Sequence, residues 1–158
     1  MKFFYDRFFP IVKKDDKRFK HRVVVGIGGN KGDVRKRFRN LYMYFNKSSR
    51  VSVYKTSAIL QNPPFGYLDQ DDFYNGVIIL KTSLAPKALL KFLLHVEKIF
   101  GRKRSFKNAP RTLDLDIIFF NTIKYSQKNL EIPHPRWFKR DSVVLPLENL
   151  RELKKRIM

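Results

Sequence analysis

The order in which hydrophobic periodicities follow one another between residues 22 and 120 restricts the fold more than any other feature of the chain. Residues 22–28, Arg-Val-Val-Val-Gly-Ile-Gly, are a continuous β-branched run ending in glycines, which predicts a buried strand. Gly29-Asn30-Lys31-Gly32-Asp33 predicts a turn, with Asp33 capping the helix that follows. From Val34 to Asn46, the residues Val34, Phe38, Leu41, Tyr42 and Phe45 recur at helical spacing, and Arg35, Lys36, Arg37 and Arg39 fall on the other face. The stretch from Val51 to Leu60 reads as a second strand, closed by the breaker Asn62-Pro63-Pro64-Phe65-Gly66, and Phe73 to Thr82 as a third. Pro86 opens a second helix to about Phe100, with Leu89, Leu90, Leu93, Val96 and Ile99 inward and Gly101 as its stop. A basic loop, Arg102 to Pro110, precedes a fourth strand from Thr112 to Phe120. The remainder is expected to be loop, a turn at Ile132-Pro133-His134-Pro135, a short apolar run and a Lys/Arg-rich tail. The order β-α-β-β-α-β predicts an α+β fold of the ferredoxin-like kind, an antiparallel sheet with two helices on one face.

A chain of 158 residues suits one domain, and a hydrophobic content of 43% is enough to build its core. Residues 1–21 stand apart as an aromatic and basic extension, and residues 22–158 carry the predicted fold. Asp6, Arg7 and Pro10 interrupt the N-terminal apolar stretch and no small-residue cleavage site follows, so it is not read as a signal peptide. No apolar run reaches the roughly 18–20 residues of a membrane span, and the chain is expected to be cytoplasmic. Without cysteine, disulfides, Cys-ligated zinc, iron–sulfur clusters and thiol catalysis are all excluded. The three histidines are too scattered for a histidine-only metal cage. A formal net charge of +20 predicts polyanionic partners without saying which: nucleic acid, an anionic membrane or phosphorylated small molecules.

The stretch Arg111-Thr112-Leu113-Asp114-Leu115-Asp116-Ile117-Ile118-Phe119-Phe120 is the most informative for chemistry. Strand alternation puts Leu113, Leu115, Ile117 and Phe119 on one face and Asp114 and Asp116 on the other, with Cα atoms roughly 6.5–7 Å apart. Adjacent carboxylates repel unless a positive charge sits between them, and Mg2+ shared with substrate phosphates meets that need. A half-solvated strand with a polar outer face gives the same pattern, so context must decide. Arg111 directly before the pair, and Arg102, Lys103, Arg104 and Lys107 in the preceding loop, supply cations beside it, as polyphosphate transfer requires.

The run Val25-Gly26-Ile27-Gly28-Gly29-Asn30-Lys31-Gly32 begins like a dinucleotide fingerprint, but Lys31 stands at the third glycine position and no acidic residue ends the second strand. No Gly-Lys-Ser/Thr follows, which excludes a P-loop. A tight strand-to-helix turn is the better reading of these glycines. His134, between Pro133 and Pro135, has a stiff backbone and is either structural or aimed at a ligand; Trp137 and Phe138 are core or cover for a flat ligand.

Pro110-Arg-Thr-Leu-Asp-Leu-Asp-Ile-Ile-Phe-Phe120 resembles the signature of the hydroxymethyldihydropterin pyrophosphokinases of folate biosynthesis. Further motifs agree in order: Gly26 to Asp33, Pro63-Pro-Phe-Gly66, Asp69 to Asn75, Thr82 to Pro86, Glu97 with Gly101-Arg102, Ile132-Pro-His-Pro-Arg136, and Arg140 ahead of Val144 to Leu147. The resemblance spans roughly residues 22–150. It implies transfer of pyrophosphate from ATP to the hydroxymethyl group of the reduced pterin, with release of AMP. Asp114 and Asp116 would hold two Mg2+ ions bridging the ATP phosphates. Arg102 and Arg111 would be catalytic, stabilising the triphosphate, with Glu97, Arg104, His134 and Arg140 completing the ATP site. Asn62, Pro63, Pro64, Phe73, Asn75 and Asp114 would form the pterin site, Phe73 stacking on the ring and Asn75 bonding its polar edge. ATP and the pterin are the implied partners, and the chain is expected to act as a monomer.

Three positions depart from the family pattern. Ser142 stands where an aromatic residue usually completes the pterin sandwich, leaving Trp137, Phe138 or a one-sided stack. Asn108-Ala109 replaces Trp-Gly in the loop before Pro110, with Phe106 the substitute lid, and Asn62 replaces a Thr. From a different class, a nucleic-acid-binding module on the same sheet is suggested by the charge. It lacks the aromatic ribonucleoprotein motif and carries Asp114 and Asp116 where phosphates would lie.

Overall fold

The computed structural model describes residues 1–157, with side chains through Glu152. In chain order its elements are β1 (Lys2–Phe4), β2 (Ile11–Val12), β3 (His21–Gly29), α1 (Val34–Lys47), β4 (Val51–Thr56), β5 (Ile59–Asn62), β6 (Phe73–Thr82), α2 (Pro86–Ile99), β7 (Asp114–Phe120), β8 (Tyr125–Gln127), β9 (Leu130–Ile132) and α3 (Asp141–Ile157). The fold is mixed, an antiparallel sheet with three helices. β3 lies between β6 and β7; the far edge of β6 pairs with both β4 and β5, β1 adds to β5, and β2 adds to β4.

Alternation along β3 sends Val23, Val25 and Ile27 into the main core, where the inward faces of α1 and α2 meet them. The α1 stripe is Val34, Phe38, Leu41, Tyr42 and Phe45, as its spacing predicts. Asp33 caps it, accepting the Lys36 N–H at 3.1 Å. The α2 face is rotated from expectation. Phe92 and Glu97 turn inward, while Ile99 is 50% exposed. Glu97 is drawn in because its carboxylate accepts the backbone N–H of Leu115 at 2.7 Å.

Other sequence expectations are corrected. The stretch 51–60 is two strands, broken where Ser57 Oγ accepts the Val77 N–H and Asn149 Oδ1 accepts the Ala58 N–H. On β7 the register shifts so that Val25 faces Ile117 and Val24 faces Phe119, leaving Ile118 as an extra residue. That bulge moves Phe119 off the core face, and its ring meets Trp137 at 5.0 Å. The C-terminal part is not loop: β8 and β9 form a hairpin, and a 3-10 turn at Trp137–Lys139 leads into α3. Pro146 lies inside α3 and masks its periodicity. The tail side chains from residue 153 onward lie outside the described residues.

Helices therefore cover both faces of the sheet. Leu60, Val77, Ile118, Val143 and Leu150 are buried outside the main cluster, on the face that α3 covers. Residues 1–21 are built into the same body. Phe9 is fully buried, its ring 6.0 Å from that of Phe38, and Phe8 stacks on Tyr42. Asp6 accepts the N–H groups of Phe8 and Phe9 at 3.1 Å each and pairs with Arg39 on α1. Lys81 on β6, nearly buried, finds Asp15 at 2.9 Å. Phe9→Ala should cost about 3–5 kcal/mol of stability by leaving a cavity against α1. Denaturant unfolding measures it, and a loss below about 1 kcal/mol would show that the segment is not held by the core.

Candidate active site

Residues paired across antiparallel strands share a face of the sheet, and the register gathers one group on the α3 side. Asn62 lies opposite Phe73, Gly28 opposite both Asn75 and Asp114, and Gly26 opposite Asp116. Together with Pro63, Pro64, Arg111, Ile118 and the start of α3, these residues line a cavity of about 360 Å³. Its floor is open because Gly26 and Gly28 have no side chains. A Cβ on Gly28 would lie 2.6 Å from Asn75 Oδ1, so glycine leaves room for that amide. The amide is held in turn: Asn75 Nδ2 donates to Asn62 Oδ1 at 2.6 Å.

The glycines thus belong mainly to the strand and not, as expected, to the turn. A Cβ on Gly29 would meet the Thr112 carbonyl at 2.5 Å, and only Gly32 of this run has a positive φ, +73°. The close approach is fastened by Asn30, whose Oδ1 accepts the Arg111 N–H and whose Nδ2 donates to Gln70 and to the Asp71 carbonyl, each at 2.9 Å. Gln70 then donates to the Asn108 carbonyl at 2.9 Å, tying the 63–72 loop to the 102–110 loop.

Arg111 occupies the junction. Its guanidinium lies 3.1 Å from Asp114 and 5.3 Å from the centre of the Phe73 ring. It lines both the main cavity and a second depression of about 280 Å³, walled by Arg102, Lys103, Arg104 and Lys107. Asp116 has no ion pair among the described residues. Burial, then the neighbouring carboxylates of Asp114 and Glu97, push its carboxyl from the ordinary 3.8 up to about 7. Glu97 is raised as well, chiefly by burial. Burial lowers Arg102, whose Nε is enclosed without a hydrogen-bond partner. Burial and then Arg140 lower His134.

Of the residues singled out from sequence, Asn62, Pro63, Pro64, Phe73, Asn75, Arg111, Asp114, Asp116 and Arg140 converge on the main cavity. Arg102 and Arg104 line the adjoining depression, Arg104 also reaching Glu97 at 3.6 Å. Glu97 lies beneath β7, and His134 beside it, its N–H on the Ile118 carbonyl at 2.9 Å. Trp137 and Phe138 do not line the cavity; the second aromatic wall is Phe65, 75% exposed, while Ser142 lines it at the start of α3. Phe106 is exposed and sits edge-on to Tyr67 at 5.0 Å. Sequence reasoning missed Phe65, Ile118, Lys139 and Met1 as lining residues. Only Phe65 carried a signal, its place in the Pro-Pro-Phe-Gly breaker.

A family model described as 7,8-dihydro-6-hydroxymethylpterin-pyrophosphokinase matches residues 24–152. A 2-amino-4-hydroxy-6-hydroxymethyldihydropteridine pyrophosphokinase of Helicobacter pylori is 47% identical over 143 residues, 89% of this chain and 88% of that protein. The enzyme of the same name from Campylobacter jejuni is 43% identical, covering 89% and 90% of the two chains. That of Bacillus subtilis is 36% identical, covering 80% and 75%. Among the described residues no helix is long and apolar enough to cross a membrane.

The raised Asp116 carboxyl has a measurable consequence. Between about pH 4 and 7 the folded chain keeps a proton that the unfolded chain has released, so this group makes stability fall as pH rises through that window. In chelator, Asp116→Asn should gain about 1–4 kcal/mol on wild type between pH 4.5 and 8. Urea titrations at the two pH values read this, and a pH-independent difference would contradict it.

Proposed function

The chain belongs to the 7,8-dihydro-6-hydroxymethylpterin-pyrophosphokinase family, and on that premise we propose how its cavity performs the reaction. The chain is a pyrophosphokinase of folate biosynthesis. The pterin hydroxymethyl oxygen attacks the β-phosphorus of ATP, the bond from that phosphorus to the α–β bridging oxygen breaks, AMP leaves, and the hydroxyl proton is released. The reading is carried by one observation: Phe73 and Asn75 on one side and Asp114 and Asp116 on the other share a cavity, with Arg111 between them.

Phe73 offers a ring face to the flat heterocycle. Asn75 and Asn62, already bonded to each other, present matched donors and acceptors to its amide edge, where an unpaired polar group would be costly. Phe65, in place of the missing aromatic at Ser142, serves the other ring face. Arg111, beside both the pterin wall and Asp114, meets the charge that develops during transfer. Arg102 and Arg104 receive the triphosphate from the adjoining depression, and His134 and Arg140 complete the ATP site. Glu97 acts there through β7, its carboxylate fixing the Leu115 N–H between the two aspartates.

The donor set fits Mg2+. Asp114 and Asp116 are hard oxygen donors on one strand face, and the upward push on Asp116 marks negative charge short of a counter-ion. Among the described residues no third His, Cys, Asp or Glu completes a metal cage, which suits ions shared with phosphate oxygens and water. Two Mg2+ ions held there would neutralise the phosphate oxygens and polarise the phosphorus under attack.

The strand order β7-β3-β6-β4, with α1 and α2 on one face, supports a ferredoxin-like core comprising residues 22–158, to which 1–21 are added. The enzyme works as a cytoplasmic monomer on two diffusible substrates, a reading supported by a cavity lined by residues of one chain. A nucleic-acid role is not favoured, since the family match covers most of the chain. AMP release should require ATP, hydroxymethyldihydropterin and Mg2+ together, and Asp114→Ala should lower it about 10²–10³-fold or more with the fold retained. Folded wild-type protein that forms no AMP would refute the reading. Gly28→Ala should raise the pterin KM by displacing Asn75, with the ATP KM unchanged; equal shifts in both constants would contradict the pterin assignment.

A further inference from the structure

The family match begins at residue 24, so β1 and β2 lie outside it, yet β1 reaches the cavity. Its register on β5 is Lys2 to Gln61, Phe3 to Leu60 and Phe4 to Ile59. One step further along the same ladder brings Met1 beside Asn62, and Met1 lines the cavity together with Asn62, Pro63 and Phe65. The faces agree. Phe4 pairs with Ile59, a main-core residue, and stands against Arg35 of α1 at 4.5 Å. Alternation therefore turns Met1 and Phe3 to the opposite face, on which Asn62 and Phe73 lie.

β1 has a second effect on the same wall. Without it β5 would be the edge of the sheet, paired only with β6, and Asn62 is its last residue. The Asn62 amide oxygen holds Asn75 at 2.6 Å, so the strand that fixes Asn62 also fixes the group expected to bond the pterin edge. The N-terminal segment is anchored independently of β1 by Phe9 in the core and by Asp6 on α1, which keeps β1 within reach of the β5 edge.

We propose that β1 is a pterin-binding element: Met1 packs its thioether and methyl group against the flat heterocycle beside Asn62, and β1 pairing holds the Asn62–Asn75 amide pair in register. This rests on the pyrophosphokinase reading for the identity of the heterocycle. An unbranched, polarisable thioether adapts to a flat ring and makes favourable sulfur–aromatic contact. The cavity then has an apolar contact beside Asn62 and Pro63, contributed by a strand that precedes the residues matched by the family model. Met1 acts here as a specificity-determining residue of the pterin site and has no role toward ATP.

The test uses the full chain released from a cleavable N-terminal fusion, so that position 1 can be changed. Binding of hydroxymethylpterin is followed by its own fluorescence, with a non-hydrolysable ATP analogue and Mg2+ present, for wild type, Met1→Ala and a chain lacking residues 1–4. Met1→Ala should weaken pterin binding about 3–10-fold and the truncation at least as much, while affinity for the ATP analogue stays within twofold and melting confirms folding. Unchanged pterin affinity in both variants would overturn the proposal. Equal losses for pterin and nucleotide would overturn it too, reducing β1 to an edge strand that only supports the fold. AMP release by wild type in the same preparation tests the pyrophosphokinase reading separately, because the binding comparison does not depend on turnover.

Discussion

Two carboxylates held on one face of a strand, at the edge of a half-buried cavity, are the constraint around which the rest of the molecule is arranged. Asp114 has Arg111 at 3.1 Å; Asp116 has burial and two like charges, and its carboxyl rises to about 7. A fold keeps such a pair only if the strand beneath cannot move to relieve it. Here Leu115, between the aspartates, is bonded to the buried Glu97 carboxylate, and β7 is paired to β3 on both sides of its bulge. The entry to the strand is pinned as well, through Asn30 to Arg111 and Arg37 to the Thr112 carbonyl. Strain of like charge and rigidity of scaffold are therefore one design, and in the proposed reading a divalent cation shared with phosphate oxygens would relieve the first while the second keeps its geometry.

Much of this was legible from residue pattern because it depends on period. The α1 stripe, the Asp33 cap and the shared face of Asp114 and Asp116 each follow from local spacing. The grouping of Asn62, Phe73 and Asn75 followed from the family resemblance, and the register supplied its physical reason. What escaped depended on contacts between distant segments. The bulge at Ile118 reverses the alternation that put Phe119 inward, and no pattern within one strand announces a register shift against another. The need for glycine at 28 and 29 comes from the Asn75 amide and the Thr112 carbonyl, which the sequence places far away. The spacing of Ile99 fits the α2 stripe, yet it lies outside the core because the bond from Leu115 turns Glu97 inward. Pro146 concealed α3.

The N-terminal residues changed most between sequence and structure. Their composition sets them apart as an aromatic and basic extension. Instead Phe9 fills the core, Asp6 draws Arg39, and Asp15 neutralises the nearly buried Lys81. Basic residues whose partners come from this segment are thus part of the fold and not a polyanion-binding face. The cations that line the depression beside the cavity come instead from the 102–111 loop.

Counting divalent ions tests the central claim most directly. Mn2+ binding, followed by electron paramagnetic resonance with a non-hydrolysable ATP analogue, should give two bound ions per chain in wild type and a loss of tight binding in Asp116→Asn. Stoichiometry and affinity unchanged by that substitution would contradict the account, because the uncompensated carboxylate on β7 would then not be what the ions answer.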